Sequence, residues 1–492
     1  MAIIKVENLT FSYPTSDDLI FGNVSFSIDT DWKLGFVGRN GRGKTTFLNL
    51  LMGKYEYGGK IISSVGFDYF PYEVEDKSVN TEDILREVAP AAEDWQFMRE
   101  LSYLDVSAEV LYRPFATLSN GEQTKVLLAA LFLNEGKFLL IDEPTNHLDT
   151  AARSLVAEYL RKKKGFILVS HDRNFLDGCV DHILSLNKSN IDVVSGNFSS
   201  FMTDFERQQE YERREAARLQ TDIKRLKETA RRTAEWSDKV ESTKTGTRIA
   251  GLRPDRGAIG HKSAKMMKRA KVVEARQQKE IEQKSQLLKN VEYTHKLKLS
   301  PLIYRSETLV TFSNVAAMYD GRQVMRPVSF SIKRGDRIAI EGKNGSGKSS
   351  LLKLLCGQDI EHSGDIKIGS NLVISYVPQD ASFLRGTLKE LAIESKIDES
   401  LFKSILQKMG FDKAQFDKDM KDFSGGQKKK TLIAKSLCES AHLYVWDEPL
   451  NYIDVFSRIQ IEELLMAFNP TMIFVEHDKA FQNKIATSIV EI

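Results

Sequence analysis

The sequence predicts an α/β protein built from one domain present twice in tandem, with a long helical hairpin between the two copies. Three observations predict it. Motifs recur at a near-constant spacing, each copy mixes short apolar runs with helical patterns, and the stretch between the copies has a composition of its own.

The recurrence comes first. Gly38-Arg39-Asn40-Gly41-Arg42-Gly43-Lys44-Thr45 returns as Gly342-Lys343-Asn344-Gly345-Ser346-Gly347-Lys348-Ser349. Asp142-Glu143-Pro144 returns as Asp447-Glu448-Pro449, and His171-Asp172 as His477-Asp478. The offsets of 304, 305 and 306 residues point to one domain duplicated rather than to chance matches.

Within each copy, Lys33 to Val37 and Arg337 to Glu341 are short apolar strands leading into the glycine-rich loops, and helical patterns follow the loops. Phe138 to Ile141 and Leu443 to Trp446 are apolar runs that end in acids. Together with Phe166 to Val169 and Met472 to Val475, they read as strands buried on both faces of a mostly parallel sheet. The first copy is expected over residues 1–202 and the second over 303–492.

Residues 203–302 differ. Leu219, Ile223, Leu226 and Ala230 sit at the 4-3-4 spacing of a coiled-coil seam, within a predicted helix from about Thr203 to Asp238, roughly 54 Å long. Glycines and Pro254 break the pattern between Thr243 and Lys262, after which helical spacing resumes. Two antiparallel helices joined by an irregular tip are predicted.

Composition narrows the classes. The 492 residues are 41% hydrophobic and 28% charged, as in an ordinary folded domain protein, and suggest about three domains. No apolar run approaches the ~18 residues of a membrane span. No signal-peptide pattern opens the sequence, and the three cysteines lack ligand or disulfide spacing, so a cytoplasmic location is expected. The net charge of +2 hides an asymmetry. From Phe205 to Lys298 there are 25 Lys+Arg against 14 Asp+Glu, a net of +11, which leaves −9 for the rest. Between Lys244 and Lys271 nine basic residues face one acid, Asp255. That density suits phosphate contacts, and the scarcity of aromatics favours docking on folded RNA over stacking on single strands.

A strand, then GxxxxGK[ST], then a helix makes a phosphate-binding loop. Gly38, Asn40, Gly41, Gly43 and Thr46 belong to the first loop, and Gly342, Asn344, Gly345, Gly347 and Ser350 to the second. Their backbone N–H groups and the helix N-terminus behind them favour anions. Lys44 and Lys348 are expected at the β- and γ-phosphates of ATP. Thr45 with Asp142, and Ser349 with Asp447, are expected to hold Mg²⁺. Glu143 and Glu448 follow those acids and are positioned to orient an attacking water. Ser119-Asn120-Gly121-Glu122 and Ser424-Gly425-Gly426-Gln427 each open a helical pattern, which gives a second phosphate cradle.

In this order the motifs resemble those of the ATP-binding cassette (ABC) proteins, so two ABC-type P-loop nucleotide-binding domains in tandem are expected. The resemblance implies that each Ser-Gly signature reaches the ATP of the other cassette: Ser424 with Lys44 and Glu143, Ser119 with Lys348 and Glu448. It also implies γ-phosphate switch roles for His171 and His477, an Mg²⁺-sensing Gln379, adenine stacking on Tyr13 and Tyr319, and D-loop aspartates at Asp149 and Asp454. The copies depart from the pattern and from each other. Tyr72 stands where the second copy has Gln379, Asn120 where it has Gly425, and Glu476 where the first has Ser170.

The whole chain resembles the ABC-F family, on Asp142-Glu143-Pro144-Thr145-Asn146-His147-Leu148-Asp149 and on Ser195-Gly196-Asn197-Phe198-Ser199-Ser200-Phe201 leading into a basic helical linker. Only 46 positions, Tyr72 to Thr117, separate the Q-loop from the first signature, so a long inserted arm is not expected. Within ABC-F the compact plan is most similar to the Lsa-type antibiotic-resistance branch. That resemblance implies an ATPase that binds the ribosome at the tRNA exit site, with large-subunit rRNA and P-site tRNA as partners and neither DNA nor membrane. It also implies a monomer whose own cassettes pair, and protection against lincosamides, pleuromutilins and streptogramin A. The linker residues expected at the ribosome are Lys244, Arg248, Ile249, Leu252, Arg253, Arg256, Ile259 and Lys262. A housekeeping translation factor of the same family, or a tandem ATPase subunit of a transporter, is the alternative.

Overall fold

Phe166–Val169 and Met472–Val475 are buried at every residue, as central strands of a sheet covered on both faces must be. These strands belong to a computed structural model that describes residues 2–14, 19–146, 148–186, 190–242, 275, 299–319, 321–343, 345–411 and 415–492. They fall into two compact units. One holds Met1–Phe201 and Lys296–Ile492, the other Met202–His295.

In the first copy the central sheet runs Gly66–Phe70, Lys137–Asp142, Phe166–Val169, Lys33–Gly38, His182–Leu186, Ile191–Ser195. All its pairings are parallel except the last, which is antiparallel. In the second copy the order is Ile374–Val377, Leu443–Asp447, Met472–Val475, Arg337–Glu341, Ser488–Glu491, parallel throughout. Each copy adds a smaller antiparallel sheet, built around Ile3–Ser12 in the first and Thr308–Tyr319 in the second.

The strand that leads into each glycine loop lies in the interior of its sheet, beside the strand that precedes His171 or His477. The loops, the acids and the histidines therefore emerge together at the carboxyl edge of parallel strands, where α/β sheets bind ligands. Phe36, Phe47, Leu140 and Ile167 in the first core, and Ile340, Leu352, Val445 and Ile473 in the second, lock those strands to the helices behind the loops.

The helix expected from Thr203 begins earlier and spans Phe198–Ser242, 45 residues and about 67 Å. Asn197 explains the early start: its Oδ1 accepts from Ser200 N at 3.0 Å, and Phe198 and Phe201 are buried. Of the second unit, the rest of this helix and Ala275, also helical, are described. The predicted tip, Lys244 to Lys262 with Arg248, Ile249, Leu252, Arg253, Arg256 and Ile259, lies outside the described residues. No helix among the described residues is long and apolar enough to cross a membrane.

Candidate active sites

Gly43 and Gly347 end the two glycine loops with φ of +101° and +93°, a left-handed backbone that an L side chain rarely adopts. That turn sets the N-termini of helices Lys44–Leu51 and Lys348–Leu355. Lys44 Nζ curls back to donate to Gly38 O at 2.8 Å, and Lys348 Nζ to Gly342 O at 2.9 Å. Burial lowers the pKa of both ammoniums, so each sits in a place that rewards an anion. Asn344 lies outside the described residues.

Thr45 Oγ1 donates to Asp142 Oδ2 at 2.9 Å, and the Tyr69 hydroxyl donates to the same oxygen at 3.1 Å. In the second copy both carboxylate oxygens of Asp447 are buried with no hydrogen-bond partner, and burial pushes the carboxyl up to about 6. An orphaned, buried carboxylate beside a hydroxyl suits a hard divalent cation such as Mg²⁺. The residues present therefore fit the ion.

Glu143 and Glu448 follow these acids with φ of +50° and +46°, unusual for residues other than glycine. Their surroundings differ. Glu143 is driven up to about 8 by burial and by Asp142 beside it. Its neighbour His171, with Nε2 3.2 Å from Glu143 Oε1, is held well below the usual histidine range by burial and the nearby Lys44 cation. Glu448 is opposed by burial too, but His477, Gln379 and Asn451 overcome it and hold the carboxyl down at about 2. Asn451 Nδ2 donates to Glu448 Oε2 at 2.7 Å, and His477 Nε2 lies 3.6 Å from Oε1.

The signature residues start helices Asn120–Leu131 and Gly425–Cys438. Ser119 with Glu122, and Ser424 with Gln427, form capping boxes. Residues of the two copies meet at both glycine loops. A cavity of about 830 Å³ is lined by Ser119, Gly121 and Glu122 from the first copy and by Lys348, Ser349 and Glu448 from the second. Gly345, Gly347, Ser350, Gln379, His477 and Tyr319 complete its far wall. At the first glycine loop, Asn40 contacts the second copy. Asn40 Nδ2 donates to Tyr452 O at 2.5 Å, and Asn40 N donates to Asp454 Oδ2 at 3.3 Å. A Cβ on Gly426 would meet Tyr452 O at 2.8 Å and Asn40 Nδ2 at 3.2 Å, so the second signature is pressed against the first loop.

Tyr13 and Tyr319 stand beside the loop helices: their hydroxyls lie 2.8 Å from Thr46 Oγ1 and 3.1 Å from Ser350 Oγ. Tyr319 is exposed, and Tyr13 packs edge-on against Phe11 and Tyr55. Tyr72, at the position of Gln379, bonds Glu87 at 2.8 Å instead of facing the acids. Motif reading passed over Tyr69, Asn451, Tyr452 and Lys430. Tyr69 had a signal, since Tyr376 occupies the matching place in the second copy.

Two buried ionic groups lie around these sites, one within the second copy and one across the two copies. Asp454 pairs with Lys430 at 2.8 Å, which holds its carboxyl well below the usual range against burial. Arg173, just past His171 in the first copy, pairs with Glu462 and lies 3.5 Å from Asp478, both in the second; Asp478 also pairs with Arg458 at 3.0 Å.

Two phosphate loops, two acidic pairs and two signatures shared across one interface define a tandem ATP-hydrolysing enzyme. The model of the ABC transporter family matches residues 21–146 and 325–451, and the chain belongs to that family. Within it the chain is an ABC-F ATPase. It is 28% identical over 493 residues to the ribosome protection protein VmlR of Bacillus subtilis (strain 168), covering 99% of this chain and 86% of the relative. It is 25% identical to ABC transporter F family member 2 of Arabidopsis thaliana, covering 99% and 76%. Among solved structures, the archaeal ribosome recycling factor aABCE1, crystallised with the stalk protein aP1, shares the fold. Its TM-score is 0.65 at 21% identity, over 98% of this chain and 87% of that one.

Proposed function

We propose that this ABC-F ATPase binds the ribosome and protects it from antibiotics that act at the large subunit: lincosamides, pleuromutilins and streptogramin A. The observation that carries the reading is the end-to-end similarity to a ribosome protection protein, joined to the basic stretch between Lys244 and Lys271. Residues 1–202 and 303–492 act as cassettes and 203–302 as the linker that reaches rRNA and P-site tRNA in the cytoplasm.

In this reading Lys44 and Lys348 hold the β- and γ-phosphates of ATP, with Tyr13 and Tyr319 beside adenine. Thr45 with Asp142, and Ser349 with Asp447, would hold Mg²⁺, which would supply charge neutralisation of the phosphates. Glu143 and Glu448 orient the attacking water, and His171 and His477 fix those carboxylates. Ser424 and Ser119 close each site from across the interface. ATP thereby stabilises a closed form that fits the tRNA exit site. The linker tip shifts tRNA near the drug, and hydrolysis then releases the protein.

The test has two arms. An E143Q/E448Q protein, loaded with ATP and used as bait, is expected to recover ribosomes; recovery of a membrane complex without ribosomes would sink the reading. Expression of the intact protein in a drug-sensitive host is expected to raise the growth-inhibiting concentration of at least one of the three drug classes. Ribosome recovery with unchanged sensitivity to all three would favour a housekeeping translation factor.

A further inference from the structure

The signature helix of the second copy carries a buried lysine that the first copy lacks. Lys429 is 3% exposed, and its Nζ donates to three backbone carbonyls: Pro378 O at 3.0 Å, Glu448 O at 3.2 Å and Asp447 O at 3.5 Å. These carbonyls belong to two segments that line one site, one leading into Gln379 and the other bearing the acids. Glu448 holds a left-handed φ of +46°, a conformation that persists only when its surroundings fix it. At the matching place in the first copy, Thr124 Oγ1 donates to Asn120 O of its own helix at 2.9 Å and ties nothing together.

We propose that Lys429 is a positioning residue for the Lys348–Glu448 site: its ammonium clamps the Gln379 and Asp447-Glu448 segments in register, and Thr124 at the matching place gives the Lys44–Glu143 site no such clamp. The same helix begins at Ser424, against the first glycine loop, so the clamp also links the signature of one site to the catalytic carboxylate of the other. A charged donor with three carbonyl acceptors is a strong, buried set of hydrogen bonds, and small displacements of a catalytic carboxylate are costly in rate.

The proposal rests on the site roles given above, and its test separates the two. Single-turnover hydrolysis of radiolabelled ATP is measured for K429M in an E143Q and in an E448Q background, with binding followed by a fluorescent ATP analogue. In the E143Q background, where Glu448 is the remaining carboxylate, K429M is expected to slow hydrolysis about tenfold or more with binding within about twofold. In the E448Q background the rate is expected to change little. K429Q, a neutral donor long enough to reach one carbonyl, is expected to recover part of the loss, and it carries the test if K429M does not fold. Equal losses in both backgrounds, or none in the E143Q background, overturn the proposal alone. If neither glutamate substitution slows the parent protein, the site roles fall and the proposal falls with them.

Discussion

Asn40 of the first glycine loop donates its side-chain amide to the backbone carbonyl of Tyr452, in the loop that follows the acids of the second copy. One cassette's phosphate cradle is thus shaped by the other cassette's backbone. N40A removes that bond and is expected to cost about 1 kcal/mol of stability. It also loosens the approach of Gly426, so ATP affinity at the Lys44 site is expected to fall while the Lys348 site keeps its own. Titration of single-site variants with a fluorescent ATP analogue checks this.

E143Q and E448Q are each expected to reduce hydrolysis while leaving ATP binding largely intact, because glutamine keeps the size of the side chain beside the phosphate loops. With both changed, hydrolysis is expected to fall about 10²–10⁴-fold. Phosphate release and the amount of ATP retained after gel filtration give the two readouts.

The pH dependence of stability carries the mark of Glu143. Its carboxyl titrates at about 8 in the folded chain, against about 4.3 for an exposed glutamate. Between those values the folded chain holds a proton that the unfolded chain has lost, so stability falls as pH rises through that window. The nucleotide-free protein is expected to lose stability on the order of a few kcal/mol from this group between pH 5 and 8. E143Q is expected to flatten that slope. Chemical denaturation at several pH values reads it directly, and parallel slopes for the two proteins would count against the burial argument.

Asp454 works in the opposite direction. Lys430 beside it depresses its carboxyl, so its contribution is present at neutral pH and is lost only in acid, below the ordinary carboxylate range. D454N leaves the Lys430 ammonium buried without its partner and is expected to cost about 3–5 kcal/mol. The double variant D454N/K430M is expected to regain a large part, which thermal melts of the three proteins would reveal.

Ser119 lines the cavity opposite Lys348. S119R sets a long cation into that space and is expected to halve the ATP bound per chain, with the Lys44 site unaffected. Equilibrium dialysis counts the bound nucleotide.

The catalytic strands and loops were legible because their chemistry is local. A glycine that needs positive φ sits one place before a lysine, and an apolar run ends in two acids, so each motif is contained within a few residues. The duplication then supported each motif with a second copy, and both central sheets follow from it. The start of the long helix was misread because Asn197 caps it from a glycine-containing turn and buries Phe198 and Phe201 before the polar pattern begins. Lys429 was invisible for another reason. In a row of three lysines it reads as a solvated surface, and only the folded chain brings Pro378, Asp447 and Glu448 around it. The unlike settings of Glu143 and Glu448 are likewise products of tertiary packing, since the acids in sequence look the same.

Arg173 gives the pair of cassettes a handedness that duplication alone would not. It reaches from the first copy to Glu462 and Asp478 of the second, whereas its counterpart Lys479 turns to Glu341 within its own copy. At the place of Glu462 the first copy has Ala157. Two first halves would offer Arg173 a methyl group, and two second halves would offer Glu462 a lysine in place of a forked guanidinium. The halves are no longer interchangeable parts: each has become a lock cut for the other, and a chain made of the first half twice would lack Glu462, while one made of the second half twice would lack the Arg173 fork.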